Sequence, residues 1–183
     1  AEQHAEAVLD RFDEAVRLRM RADVPVGVYL SGGIDSSIVA ATAAKHFPGR
    51  LKVFNIEFPG DTAWNEFQIA KNMAAKIGAE FHSVSCDSET LLRNMEDCLW
   101  ITELPFANFH GVGKFLLSRL ARRHVTVVLT GEGSDELFLG YNVFQENKGG
   151  MSHHIANRHK GRTFRAPRKV QAVVDALGFV PMP

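Results

Sequence analysis

Strand-like runs at residues 25–30 (PVGVYL), 51–58 (LKVFNIEF), 79–85 (AEFHSVS) and 125–130 (VTVVLT) alternate with segments whose apolar residues recur at helical spacing. That alternation restricts what the chain can become more than any other feature. The helical segments cover residues 2–20, 36–47, 66–77, 89–100 and 113–123. In the first, Val8, Phe12, Ala15 and Val16 mark one face, with Leu9 beside them, as an amphipathic helix requires. Pro48-Gly49 and Gly78 end two helices, and Pro59-Gly60 ends the second strand, each by standard breaker chemistry. Strands joined through helices of this length form βαβ units. The expected fold is therefore α/β, a Rossmann-like parallel sheet with helices on both faces. Residues 26–30 and 125–129 are apolar almost throughout, so both are expected to be central strands covered on both sides.

Composition excludes several classes. The chain has 183 residues, 45% of them hydrophobic and 23% charged, which suits one domain with a real core. Its 21 acids balance its 21 bases, so no general affinity for nucleic acid or anionic membrane is expected. No apolar stretch approaches the roughly 20 residues a membrane helix needs. The first residues, AEQHAEAVLDRF, are charged and helical in pattern, unlike a secretory signal. Cys86 and Cys98 do not make a disulfide framework, and read as reduced thiols of a cytoplasmic protein. Residues 1–146 read as the folded domain. Residues 147–183, basic and rich in glycine, read as an arm or as a further part of the same domain, with a short helix at 169–177.

Ligands of open α/β sheets bind at the carboxyl ends of the strands, and two such ends carry unusual sequences. The first is SGGIDSS, residues 31–37. Gly32 and Gly33 allow backbone N–H groups to turn toward one point, forming an anion nest. The helix that follows, starting near Ser36, adds its free N–H groups and the positive end of its dipole. Ser31, Ser36 and Ser37 can donate further bonds. Asp35 among these donors would repel phosphate unless a divalent cation bridged them, and Mg²⁺ suits such a site. The alternative is a plain glycine turn with a helix cap. The loop lacks the GK[ST] lysine of the Walker sequence and is not GxGxxG. The second end is TGEGSDELF, residues 130–138. With a helix beginning near Gly133, Glu132 and Asp135 can project toward one pocket, Asp135 to join Asp35 on a metal and Glu132 to move a proton. Two such strand ends in one sheet are harder to explain by capping than either alone.

SGGIDS resembles the SGGxDS pyrophosphate loop of N-type ATP pyrophosphatases, and TGEGSDELFLGY (residues 130–141) resembles the matching segment of the synthetase domain of glutamine-hydrolysing asparagine synthetases. The likeness covers residues 5–146, including LPFANFHGVGKFLLSRLARR. It implies the fold of the adenine nucleotide α-hydrolases and the cofactors ATP and Mg²⁺. By that resemblance the pyrophosphate lies on Ser31, Gly32, Gly33, Asp35 and Ser36. Leu30 and Ile56 contact the nucleoside, and Thr130 and Gly131 touch AMP. Asp35 and Asp135 serve the metal, and Glu132 serves the acyl-adenylate chemistry. The implied reaction is adenylation of a carboxylate, aspartate's above all, followed by attack of ammonia. A nucleotide-binding module without turnover, and a β-lactam-synthetase-like adenylation of another acid, remain alternatives. Glutamine-dependent relatives begin with a glutaminase domain headed by a cysteine, whereas the first cysteine here is Cys86. That domain is expected elsewhere in the full-length protein, and a homodimer is compatible with the resemblance. Asn65, Leu104 and Asn108 stand where many relatives carry acids. His153, His154 and His159 read as surface residues of the arm, and Trp64 and Trp100 as core or edge packing.

Overall fold

The computed structural model describes residues 2–60, 65–103 and 109–138. The arm at 147–183, with its three histidines and helix, therefore lies outside the described residues, as do Trp64, Leu104 and Asn108. The chain divides into two compact units, Ala1–Glu132 and Gly133–Pro183, each described by itself. In the first unit the elements run α1 (Glu2–Arg19), β1 (Val26–Tyr29), α2 (Ile34–His46), β2 (Lys52–Glu57), α3 (Phe67–Lys76), β3 (Glu80–Ser85), α4 (Ser88–Arg93), α5 (Met95–Thr102), α6 (His110–Ala121) and β4 (Val127–Leu129). In the second, the described element is α7 (Ser134–Phe138). No described helix is long and apolar enough to cross a membrane.

The strands are parallel and ordered β3-β2-β1-β4. Alternation along β1 and β2 sends successive side chains to opposite faces. Val28 and Val53 enter one core with Val39, Ala40 and Ala43 of α2 and Ala70 and Ala74 of α3. Phe54 enters the other core with Leu117 and Ala121 of α6 and Val125, and Tyr29 packs against it. Helices thus cover both faces, as expected. Alanines on α2 and α3 bring those helices close to the sheet. The chain steps outward from β1 to β3, then crosses to the other side of β1 for β4. The reversal of direction falls between β1 and β4, and the carboxyl ends of the strands at such a reversal are where open α/β sheets bind ligands.

Several local expectations need correction. The second helix begins at Ile34 rather than near Ser36, because extended Gly33 (φ −65°, ψ 162°) acts as its N-cap. The helix expected over 89–100 is two, α4 and α5. Asn94 separates them, its Nδ2 donating to Thr90 O at 2.7 Å in competition with regular helix bonding. β4 is shorter than expected and pairs with β1 alone among the described residues, leaving Val127 39% exposed. It is an edge there rather than a central strand. Trp100 is 84% exposed, because α5 turns Cys98 into the core and Trp100 lies about 200° further round the helix. Both cysteines are free and buried, as reduced thiols should be. Burial, with Asp87 next to it, pushes the Cys86 thiol up, away from the thiolate a nucleophile needs.

Gly27 carries a tight contact inside the sheet. A Cβ there would lie 2.7 Å from Phe54 Cε2 and 3.0 Å from Lys52 O. Gly27→Ala is expected to destabilise by about 1–3 kcal/mol in urea unfolding, as overpacking does, and by less in a Phe54→Leu background. On the same face, the His124 ring centroid lies 4.0 Å from that of His82 and 5.8 Å from that of Phe54. Desolvation lowers the pKa of His124, as do His82, Lys52 and Arg123, with Glu80 opposing. The unfolded chain, with an ordinary histidine pKa of about 6.5, then takes up the proton first as pH falls. This contribution to stability is complete above about pH 6.5 and is lost as pH drops through the lower folded value. His124→Gln should flatten the fall of the urea midpoint between about pH 7.5 and 5.

Candidate functional site

At the end of β1, Leu30 buries its side chain in the core at 1% exposure. Its N–H donates to Phe54 O at 2.9 Å, and its carbonyl accepts from Asn55 Nδ2 at 2.7 Å. The chain then turns through Gly32, whose φ of +99° favours glycine. A Cβ there would lie 2.9 Å from Glu66 O and 3.0 Å from Glu66 Cβ, so the loop rests directly on the start of α3. Gly33 differs. Its backbone is extended, and an added Cβ would meet Ser31 Oγ at 3.3 Å.

The loop serines bond within the loop. Ser36 Oγ accepts from Ser31 N at 3.1 Å, donates to Gly33 O at 3.2 Å and lies 2.9 Å from Ser31 Oγ. Ser31 Oγ in turn accepts from Gly33 N at 3.2 Å, and Ser37 Oγ donates to Gly33 O at 2.7 Å. In this arrangement the three hydroxyls cross-link the loop. The N–H groups available to an anion are those of Gly32 and of the first turn of α2, at Ile34, Asp35 and Ser36, since Ser37 N already donates to Gly33 O. The partial positive charge of that helix end adds to them.

The end of β4 meets this loop. A Cβ on Gly131 would lie 2.7 Å from Ser36 N, 2.9 Å from Asp35 C and 3.0 Å from Asp35 Cβ. The fold thus brings together the loop, Asp35 and Gly131. Thr130 precedes Gly131 and is exposed. Glu132 is 69% exposed on its side chain and binds Lys114 of α6, Nζ to Oε1 2.9 Å. Ile56 lies further along the same edge, half-buried beside Phe58. There Gly113 of α6 approaches so closely that a Cβ on it would be 3.0 Å from Ile56 Cδ1. Asp135 belongs to the second unit, in the first turn of α7.

Two residues escaped sequence reasoning. Asn55 had a signal: a carboxamide at a core-facing position of an otherwise apolar strand. Lys114 had none, since 18 residues separate it from Glu132 and only the fold joins them.

Comparison with known proteins gives the family and the fold. The chain matches the asparagine synthase family over residues 7–181. It is 39% identical over 139 residues to asparagine synthetase [glutamine-hydrolyzing] 1 of Bacillus subtilis, covering 76% of this chain and 22% of that protein. It is 38% identical over 158 residues to amidase chyE of Penicillium rubens, covering 79% and 24%. The chain thus spans about a quarter of the length of these relatives. Among solved structures it is similar in fold to the NH3-dependent NAD synthetase from Campylobacter jejuni, with a TM-score of 0.50, 17% identity, and coverage of 74% of this chain and 60% of that one.

The three glycines of the site should respond differently to alanine. Gly32→Ala and Gly131→Ala are each expected to destabilise by about 1–3 kcal/mol, because backbone stands where the methyl must go. Gly33→Ala, compatible with its extended backbone but 3.3 Å from the hydrogen-bonded Ser31 Oγ, should change stability by less than about 1 kcal/mol.

Proposed function

The chain belongs to the asparagine synthase family, and from that premise we propose that it handles the nucleotide in an ATP-dependent ligase forming C–N bonds. The observation that supports this most directly is the contact of Gly131 with Asp35 and Ser36, which sets the end of β4 against a nest of free N–H groups. A carboxylate oxygen attacks the α-phosphorus of ATP, the bond to the bridging oxygen breaks, and pyrophosphate leaves. The N–H groups of Gly32, Ile34, Asp35 and Ser36, with the positive end of α2, stabilise the charge on that leaving group. Ammonia then attacks the acyl carbon, AMP departs, and an amide remains. Glu132, at the end of β4, is assigned to accept the proton from the attacking nitrogen. Leu30 and Ile56 are assigned to the nucleoside, and Thr130 and Gly131 to the AMP part.

Mg²⁺ fits the donor set. Mg²⁺ is commonly held by one or two carboxylates together with substrate phosphates and water, and Asp35 stands beside the N–H groups of the loop at the start of α2. Asp35 would hold it, and its charge would offset that of the polyphosphate; a metal role for Asp135 rests on the family resemblance alone. The acid we assign is aspartate, through its β-carboxylate. Ammonia supplied by a glutaminase domain elsewhere in the full-length protein, and a cytoplasmic setting, belong to the same proposal.

Pyrophosphate release from Mg·ATP, with and without aspartate, tests it. Aspartate should stimulate release. Asp35→Asn should reduce that release at least about tenfold, the scale of one lost charge-assisted interaction. Glu132→Gln should lower amide formation by about 10²–10⁴ while release continues. Stimulation by a different acid alone would retain adenylation and replace the substrate, an outcome that the similarity to a fungal amidase makes worth an arm of the assay. Tight ATP binding without release under any acid would leave a nucleotide-binding module.

A further inference from the structure

The peptide group joining Leu30 to Ser31 is where β1 becomes the loop, and side chains hold both of its polar atoms. Its C=O accepts from Asn55 Nδ2 at 2.7 Å, and its N–H donates to Ser36 Oγ at 3.1 Å. In a continuing parallel ladder that carbonyl would take a backbone N–H from β2. The register of β1 with β2 instead stops at Tyr29↔Phe54, and the Leu30 N–H to Phe54 O bond is the last one across. Asn55 stands in for the next rung. It satisfies the carbonyl while the backbone leaves the sheet, and it sets the plane of the peptide from which the loop starts.

Stability alone does not account for this residue. Asn55 is 2% exposed, and its Oδ1 is buried with no hydrogen-bond partner among the described residues. A buried acceptor left unpaired disfavours folding relative to an apolar side chain of the same size. Buried polar groups that break the local rule in this way are expected at functional positions. The bond that Asn55 does make lies one residue before the N–H groups assigned to phosphate.

We infer that Asn55 is a positioning residue for the phosphate-binding loop: by holding the Leu30–Ser31 peptide, it aims the N–H groups of Gly32 and the first turn of α2 at one anion. The inference rests on the nucleotide reading of the site. Its test uses Asn55→Leu, close in size but without a donor, and Asn55→Val, smaller and a good strand former in case leucine does not fit. Melting temperature is measured first. Titration calorimetry with Mg·pyrophosphate and with Mg·ATP follows, at a temperature where each variant is fully folded. Either substitution removes the unpaired Oδ1 but leaves the Leu30 carbonyl without its donor, so the expected result is a melting temperature close to that of the unaltered chain, with both ligands bound about tenfold more weakly, the scale of one hydrogen bond. Unchanged affinity in the folded variants, whatever their melting temperature, would reduce Asn55 to a structural role and overturn the inference while the nucleotide reading stood. Failure of the unaltered chain to bind either ligand would overturn both.

Discussion

The carboxyl edge of the sheet depends on backbone packed against backbone with no room for a Cβ. Gly131 lies against the first turn of α2, and Gly32 against the start of α3. Each contact joins elements far apart in sequence, and each is possible because glycine presents no side chain. The consequence is electrostatic as well as steric. With the end of β4 against Asp35 and Ser36, the N–H groups of the helix start stand beside a second strand end. Interactions between fixed dipoles and an anion strengthen where water is partly excluded.

How far the fold was legible follows from the kind of signal each part carries. Strand–helix alternation is a local pattern, and the parallel sheet with helices on both faces follows from it with few alternatives. The failures occur where a tertiary contact or one side chain decides. Asn94 divides a continuous helical pattern because its own amide competes for Thr90 O. Trp100 reads as core or edge packing, yet its angle on α5 relative to Cys98 turns it outward. An apolar composition also made the 125–129 run look central, whereas position in the sheet depends on which strands pair, and composition does not encode that.

The site shows the same division. Gly32, Asp35 and Gly131 were legible because glycines and an acid at strand ends have a direct physical meaning. That Gly131 meets Asp35 was expected only as two strand ends of one sheet, and the distances come from the fold. The bonds among the serines were not legible, because the partner of a loop hydroxyl is settled only when its neighbours are placed. Lys114 illustrates the limit: an exposed lysine in mid-helix carries no signal, and only the packing of α6 brings it to Glu132.

The internally bonded serines do not weaken the case for phosphate binding; they alter which atoms carry it. A loop whose hydroxyls already satisfy one another is held in a single shape before the ligand arrives. Less conformational entropy is then lost on binding than in a loop that must order itself around the anion. Ser36 makes this concrete, since one oxygen ties Ser31 N, Ser31 Oγ and Gly33 O together. The backbone N–H groups outside that knot are the donors best suited to phosphate. Their direction is set by main-chain geometry rather than by a freely rotating bond, so side-chain chemistry here shapes the loop, and the proposal assigns the binding to the main chain.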